Sequence, residues 1–419
     1  MRKIISGGFL CFLQFGQLRA EDLAMSDVVK KVSENNYQVL DEAHKVYQAK
    51  QSINVARGAL LPSLNIWKII GGVLDPVSLI TQDIAPFLVP ANWFRLEQTK
   101  RLYLAEKEGY RALWANQVFS SKTLYLQVLS DQNLLLLVDE IRKNLADLSR
   151  IAEKRERFGG LNPGIARELK IRELSLNEDI LRLGRLVDEE RRLLAFHLGF
   201  KWGTQISLAP VTLPDLVKTP KIMEKEFEWR VTSVSPERTQ HLHFIDALKF
   251  IKDEVRYSFL GLASNSRGVA GGVFDFMPVS SGLGFAEAPS LKIAEAQRQR
   301  LIIQLTGIEE TLKRDLSTVV SQMNIEIDVY PTLLKRSELS LESMEVLKKR
   351  LNFGGDLDPV HLGESFRGLV VSQSSLLQSQ FRFLVFKERL MRLTFSGDYL
   401  LTPAVLEETQ GGVQIEQFN

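Results

Sequence analysis

The chain has 419 residues, of which 45% are hydrophobic and 25% charged, and its formal net charge is +2. A balance this close to neutral, without a basic block or a nucleic-acid-reading motif, argues against a nucleic-acid partner. Cys11 is the only cysteine, so disulfide frameworks and multi-thiolate metal sites are excluded.

Residues 1–20 have the pattern of an export signal. Two basic residues precede a mostly apolar run over residues 4–15, and Ala20 offers a small-residue cleavage point before two acidic residues. The apolar run is shorter than the roughly 20 residues that a membrane-spanning helix needs. Cleavage after Ala20 would remove Cys11 and take the formal charge from +2 to −1. The alternative is an ordinary buried N-terminal helix.

A first structural repeat is predicted over residues 21–200. Its helical pattern fails at about residues 63–86, where glycines and an Asp-Pro pair are turn signals, so two short strands are expected there. From Arg101 to Arg157 there is one glycine and no proline. An unbroken helix over that stretch would be roughly 85 Å long, which is typical of coiled-coil packing.

The first hairpin tip is predicted over residues 158–164. Phe158 is followed by two glycines that end the long helix, and Pro163 begins the return helix. The return helix carries an apolar seam with the alternating spacing of a coiled coil. That seam is formed by Leu169, Leu176, Ile180, Leu183 and Val187.

Residues 201–234 are predicted as a linker, and residues 235–395 as a second repeat of the same unit. Strands are expected at about residues 259–289, and a long helix follows in which Pro331 should cause a kink. The second hairpin tip is predicted over residues 353–359. The tail, residues 396–419, is expected to be disordered.

The duplication is most visible in a signature, R-x-x-F-G-G followed by a proline. It begins at Arg155 in the first repeat and at Arg350 in the second, 195 residues later. This distance is too long for a solenoid, whose units are roughly 20–50 residues. We therefore expect two copies of one helix–strand–strand–helix unit, each with a long coiled-coil hairpin.

One group of residues suggests a metal site and therefore an enzyme. His241, His243 and Asp246 are close in sequence, and two of them could share a helix face. A third histidine nearby and a glutamate in metalloprotease spacing are both missing. A solvated helix surface explains the same residues, so we expect no metal, cofactor or catalytic group.

With these features, the chain resembles the TolC-like outer-membrane efflux protein family over about residues 27–395. Residues 56–64, Ala-Arg-Gly-Ala-Leu-Leu-Pro-Ser-Leu, resemble the family's entry into its first strand. Residues 85–87 and 96–98 resemble its passage into the first long helix. Residues 152–155 before Gly159 resemble the first periplasmic tip, and residues 193–199 resemble the close of the first half.

The resemblance implies a mainly α-helical homotrimer in which two tandem repeats build a periplasmic tunnel. Each protomer would add four strands to a twelve-stranded outer-membrane β-barrel. The implied function is a passive exit duct for drug efflux or type I secretion, docked on a periplasmic adaptor and energised by an inner-membrane pump. The implied adaptor-docking residues are Gly159, Gly160, Leu161, Asn162, Gly354, Gly355, Asp356 and Leu357.

The resemblance also points to an aperture just past the second tip, where the family often has an acidic pair one turn apart. Those positions are His361 and Glu364 in this chain. Rings of one side chain repeated by threefold symmetry would control closure. Histidine would gain charge as the pH falls towards 6 and weaken that closure.

A purely structural interpretation remains open for each of these features. The tips could be tight turns without a partner, and the aperture pair could be a solvated helix N-terminus. The whole chain could be a non-conducting periplasmic scaffold of the same fold. The transported substrate, the adaptor and the pump cannot be named from the sequence.

Overall fold

The computed structural model describes residues 21–62, 85–161, 163–257, 287–353, 358–401, 405–409 and 412–416. The predicted export signal and most of both predicted strand regions, residues 63–84 and 259–286, lie outside the described residues.

The described residues of the first half of the chain form one short strand, four α-helices and a 3-10 turn. They are β1 (Glu21–Leu23), α1 (Met25–Asn35), α2 (Tyr37–Gly58), a 3-10 turn (Pro86–Leu88), α3 (Pro90–Arg157) and α4 (Ile165–His197). The second half follows after β2 (Ile206–Leu208) and a 3-10 turn (Leu216–Lys218). It consists of α5 (Lys225–Val234), α6 (Pro236–Tyr257), α7 (Glu287–Phe353), α8 (Pro359–Leu393), a 3-10 turn (Gly397–Leu400), β3 (Val405–Thr409) and β4 (Gly412–Glu416).

The two halves have the same order of helices and nearly equal lengths. α1 and α5 have 11 and 10 residues, and α2 and α6 have 22 each. α3 and α7 have 68 and 67 residues, and α4 and α8 have 33 and 35. This is the pattern expected of a duplication. The second half starts with α5, inside the segment that the sequence suggested as a linker.

The long helices predicted from the sequence are confirmed and extend further than expected. α3 begins at Pro90 rather than near residue 101, and proline at the first helical position is favourable because its missing N–H has no helical partner there. At 1.5 Å per residue, α3 is roughly 100 Å long. α7 continues through Pro331 as a single helix.

The helices pack side by side as a layer whose neighbours change along its length. Near the tips the order is α4, α3, α8, α7, and towards the other end it is α2, α3, α6, α7. Because α7 packs closely against neither α4 nor α2, it forms one edge of the layer, and α4 and α2 form the other.

Both hairpins share one hydrophobic core at their tips, which we call the tip cluster. It contains Ile141, Leu145, Leu148 and Ala152 of α3, Ile165 and Leu169 of α4, Met344, Leu347 and Leu351 of α7, and Leu362, Phe366 and Leu369 of α8. The two tips therefore lie at the same end of the molecule.

Long-range polar contacts join the opposite ends of the hairpins to the first two helices. The Asn36 side chain accepts hydrogen bonds from the backbone N–H groups of Gln38 and Val39 at 3.0 and 3.1 Å, which caps α2. Its amide nitrogen also donates to the His197 carbonyl at 2.7 Å. One side chain thus begins α2 and attaches it to the end of α4.

The described strands form two small sheets. β1 pairs in parallel with β2, and β3 pairs antiparallel with β4. The hydroxyl oxygen of buried Tyr125 in α3 lies 3.0 Å from the Leu23 carbonyl oxygen and 2.7 Å from that of Ala209. Burial raises the pKa of Tyr125 to about 12.

The expectation of a disordered tail from Ser396 is wrong for residues 396–401. Tyr399 is completely buried, and Lys122 of α3 donates to Asp398 at 2.6 Å and to Glu388 at 3.1 Å. A buried lysine requires paired carboxylates, so the tail supplies one of them and is held in place. β3 and β4 extend the ordered structure further.

Candidate functional site at the hairpin tips

The first tip is shaped by a glycine in the left-handed region at the end of α3. Gly159 has φ +73°. Its N–H donates to the Glu156 carbonyl at 3.2 Å, and the Gly160 N–H donates to the Arg155 carbonyl at 2.9 Å. These two bonds are the Schellman motif, which satisfies carbonyls that the helix leaves free. The repeated glycine pair therefore has a structural reason at this tip.

The return helix α4 is started by a side chain from α3. Gly164, the residue before α4, has φ +105°, and the Ala166 N–H donates to a carboxylate oxygen of Glu156 at 2.7 Å. A carboxylate at a helix N-terminus also interacts favourably with the helix dipole. Ile165 is fully buried in the tip cluster, so the turn is held in position by both polar and apolar contacts.

The sequence analysis selected the glycines of the tips and missed the phenylalanines that precede them. Phe158 is 89% exposed and Phe353 is 87% exposed. They occupy the same position of the repeated signature, at the last turn of α3 and of α7. A phenylalanine is seldom left in water, and large exposed apolar groups mark interaction surfaces. The available signal was the repetition of phenylalanine itself in both copies.

The structure describes only part of the predicted docking set. Gly159, Gly160 and Leu161 are described, and the first two are exposed. Asn162, Gly354, Gly355, Asp356 and Leu357 lie outside the described residues.

Two contacts join the hairpins at this end. A guanidinium N–H of Arg155 donates to the Asn352 carbonyl, which connects the first tip to the last turn of α7. Arg172 of α4 lies against Gly363 of α8, where a methyl group would be 3.0 Å from its Nη2 atom. Glu168 orients that guanidinium through a 2.9 Å ion pair. Any movement of α8 away from α4 has to break this contact.

The two predicted aperture residues lie on the solvent side of α8. His361 and Glu364 are exposed, whereas Leu362 and Phe366 are buried in the tip cluster. The Ser365 hydroxyl donates to the His361 carbonyl at 2.9 Å. His361 and Glu364 therefore share one outward face, which is available to other molecules.

The group His241, His243 and Asp246 forms no metal site. Within the described residues, no cluster of three or more histidine, cysteine or carboxylate side chains is placed to hold an ion. His241 Nδ1 lies 3.0 Å from the Glu237 carbonyl oxygen, and burial lowers the pKa of His243. Asp246 pairs with Lys249 at 2.7 Å.

None of the described helices has the length and apolar composition required to cross a bilayer.

The fold has clear relatives among solved structures, although no protein-family model and no curated protein matches the sequence. A membrane protein from Pseudomonas aeruginosa is 16% identical, with a TM-score of 0.70 over 88% of this chain and 92% of that chain. CusC, whose structures concern transmembrane channel formation, is 14% identical, with a TM-score of 0.71 over 92% and 96% of the two chains. The outer-membrane channel OprN is 13% identical, with a TM-score of 0.71 over 90% of each chain. The predicted fold resemblance is confirmed: this chain has the fold of these outer-membrane channel proteins.

Proposed function

We propose that this chain, with the fold of an outer-membrane channel, is one of three protomers of a passive exit duct. It would belong to the TolC-like outer-membrane efflux family. The duct would cross the outer membrane through a twelve-stranded barrel, to which the strands predicted within residues 63–84 and 259–286 would contribute, and extend into the periplasm through its helices. The observation that carries the proposal is a helix layer with two unpaired, apolar edges.

Near the tips, the two edge helices of the layer are α4 and α7. The exposed large apolar residues are concentrated on these two helices. On α4 they are Ile171, Leu174, Leu181, Leu186, Leu193 and Phe196. On α7 they are Ile293, Ile303, Ile325, Val329, Leu339, Leu341 and Val346. The central helices expose few large apolar groups along their length, chiefly Trp93 and Leu136 on α3 and Val371 on α8. An edge of this kind indicates an interface.

Two different edges favour a head-to-tail arrangement of identical chains. When the α7 edge of one copy meets the α4 edge of the next, the interface is heterologous, and such interfaces form rings if the rotation closes. With four helices per copy at each level, three copies would provide the twelve helices that the family resemblance implies. The closed layer would surround a hollow axis.

The exposed tips would form the docking end of this duct. In this proposal a periplasmic adaptor contacts the predicted docking residues Gly159 to Asn162 and Gly354 to Leu357. Phe158 and Phe353 would be the apolar anchors, since buried aromatic residues dominate many interfaces. An inner-membrane pump would supply the energy, so the duct itself needs no catalytic group. Both drug efflux and type I secretion fit this arrangement.

The aperture proposal assigns His361 and Glu364 to the constriction near the tips. A ring of three His361 side chains would narrow the constriction, so His361→Ala should raise the single-channel conductance at a fixed pH. His44→Ala, which changes an exposed histidine on α2, is the matched control and should leave the conductance unchanged. Equal conductance in His361→Ala and wild type would reject the assignment.

The channel function is tested by the conductance of purified protein in planar lipid bilayers. The duct proposal predicts discrete conductance steps and recovery of the protein in outer-membrane fractions. The alternative, a non-conducting periplasmic scaffold, predicts soluble periplasmic protein and no steps. Assembled particles in outer membranes without any conductance would also contradict the duct.

A further inference from the structure

A layer of polar residues interrupts the apolar seam between α3 and α4. The seam of α3 alternates steps of three and four residues, as expected for a coiled coil. Its members are Leu124, Gln127, Asp131, Leu134, Val138, Ile141, Leu145, Leu148 and Ala152. On α4 the predicted seam continues past Val187 to Glu190 and Leu194 with the same steps. Gln127, Asp131 and Glu190 thus occupy positions where apolar residues would be expected.

These three side chains, which we call the polar layer, are in contact. Gln127 Nε2 donates to Glu190 Oε1 at 2.7 Å. In addition to burial, the charge of the neighbouring Asp131 carboxyl group raises the pKa of Glu190. Glu190 is only 6% exposed, and its Oε2 atom is buried without a hydrogen-bond partner. A carboxylate oxygen in that position is strongly destabilising unless it carries or shares a proton.

Positive charge that could stabilise two carboxylates is not directed at the polar layer. In the described part of the chain, no lysine or arginine lies within ion-pair distance of Asp131 or Glu190. Arg191, the next residue on α4, lies 3.8 Å from Asp188 instead. Besides burial, the charge that raises the pKa of Glu190 is that of Asp131 on α3. The groups shown to act on Glu190 are therefore the Gln127 amide and the Asp131 charge.

Burial and mutual repulsion act in the same direction on Glu190. Burial, followed by the nearby Asp131 charge, raises the pKa of Glu190 to about 7. Burial also raises the pKa of Asp131. Two adjacent carboxyl groups that are shielded from water ionise in sequence rather than together, and the first proton lost leaves the other shared between them.

We propose that Gln127, Asp131 and Glu190 form a proton-binding layer that keeps α3 and α4 together when one proton bridges the two carboxyl groups. Loss of that proton leaves two uncompensated negative charges in a coiled-coil seam. The helices then open locally at this level while the apolar seam on either side remains closed. The layer makes the packing of the hairpin sensitive to the pH around it, independently of any aperture at the tips.

The direction of the effect follows from the raised pKa. In the open state Glu190 would titrate at its ordinary value near 4.5, and in the closed state at about 7. The proton's stabilisation of the closed hairpin is complete below the open-state pKa of Glu190. It is lost as the pH rises towards the closed-state pKa. Across that window the local opening constant should increase by up to roughly tenfold per pH unit, and it should level off above pH 7.

Amide hydrogen exchange of the purified full-length protein tests the proposal. Peptides covering residues 124–134 and 187–194 are followed at pH 5, 6, 7 and 8 in wild type and in Glu190→Leu, which restores the apolar seam. The ratio of wild-type to variant exchange rates at each pH cancels the chemical rate of exchange. We expect this ratio to grow by up to roughly 100-fold between pH 5 and pH 7. Peptides from the tip cluster should show no such change.

Two further variants keep the test decisive. Glu189→Gln changes the exposed neighbouring carboxylate, and its ratio to wild type should stay near one at every pH. Glu190→Gln is close in shape to the native residue and replaces Glu190→Leu if the latter does not fold. A ratio that is the same at pH 5 and pH 7 in the Glu190 variants would overturn the proposal. Hydrogen exchange needs no transport activity, so its result tests the polar layer independently of the proposed duct.

Discussion

The ends of the two hairpins use the same backbone turn with different residues. Gly199 follows α4 with φ +72°, and Phe395, 196 residues later, follows α8 with φ +45°. Each is followed by a residue whose N–H closes the turn onto the helix, Phe200 to Ala195 and Ser396 to Met391, both at 2.9 Å. A non-glycine residue in this region costs about 1–2 kcal/mol. Burial of the Phe395 ring offsets that cost.

The ring of Phe395 is held by positive charge from two different helices. The guanidinium carbons of Arg111 and Arg392 lie 5.0 and 6.0 Å from its centroid. Cation–π contacts of this kind contribute roughly 0.5–2 kcal/mol each. The first half has a glycine for a different reason, because the backbone of Asn35 approaches it closely.

Gly199→Ala should strongly destabilise the protein. Its new methyl group would lie 2.0 Å from the Asn35 carbonyl oxygen, in addition to the cost of the positive φ. We expect a loss of about 2–5 kcal/mol in the free energy of unfolding. Gly203→Ala is the matched control, because φ is also positive there, at +88°. Apart from the chain neighbours, no atom would lie within 4 Å of its new methyl group. This control variant should cost only about 1–2 kcal/mol. Denaturant unfolding of both variants distinguishes a steric clash from backbone strain. Equal losses of unfolding free energy in the two variants would contradict the close approach of Asn35 to Gly199.

Residues with distant partners were the ones that the sequence could not reveal. The sequence analysis did not select Glu190, since nothing local shows that it lies near Asp131, 59 positions away. Lys122 and Glu388 are 266 positions apart. The glycines of the tips were recognised because a Schellman turn is encoded by adjacent residues.

At the scale of elements, the tail is anchored by a lysine that is only 2% exposed. Lys122 joins α3 to Glu388 of α8 and to Asp398 of the last 3-10 turn. The Tyr399 hydroxyl donates to the same Glu388 carboxylate at 3.3 Å. A carboxylate left alone in this position would carry a large desolvation cost.

Lys122→Met should therefore cost about 3–5 kcal/mol of stability and release residues 396–401 to proteases. The double variant Lys122→Met, Glu388→Gln removes the stranded charge and should recover much of the loss. Thermal unfolding and limited proteolysis measure the two effects. Unchanged stability in Lys122→Met would show that the buried ion pair does not anchor the tail.

Long helices and their tips were predictable from the sequence because their signals are local. Long stretches nearly free of proline and glycine, coiled-coil spacing and the repeated R-x-x-F-G-G signature together predicted α3, α4, α7 and α8. The start of α3 at Pro90 was missed because the sequence analysis counted the long helix only from Arg101. The ordered tail was missed because its short elements depend on contacts with α3 and α8.

At the scale of the whole molecule, the proposed assembly makes the apolar edge of α4 an interface with a second copy of the chain. Leu174→Glu combined with Leu181→Glu would place charges on the apolar edge of α4, where they would be buried in the proposed interface. We expect this variant to yield monomers with unchanged helix content. Leu136→Glu alters an exposed leucine on the central helix α3 and should leave the assembly intact. Assembly by the α4 variant as efficient as that of wild type would place the interface elsewhere.

The native mass of the detergent-solubilised protein tests the central claim most directly. Two apolar edges on a single helix layer favour a closed ring, and the family resemblance implies three chains, so we expect a mass of three protomers and no larger open series. A stable monomer with both edges exposed to solvent would contradict the account of this chain as part of a tube.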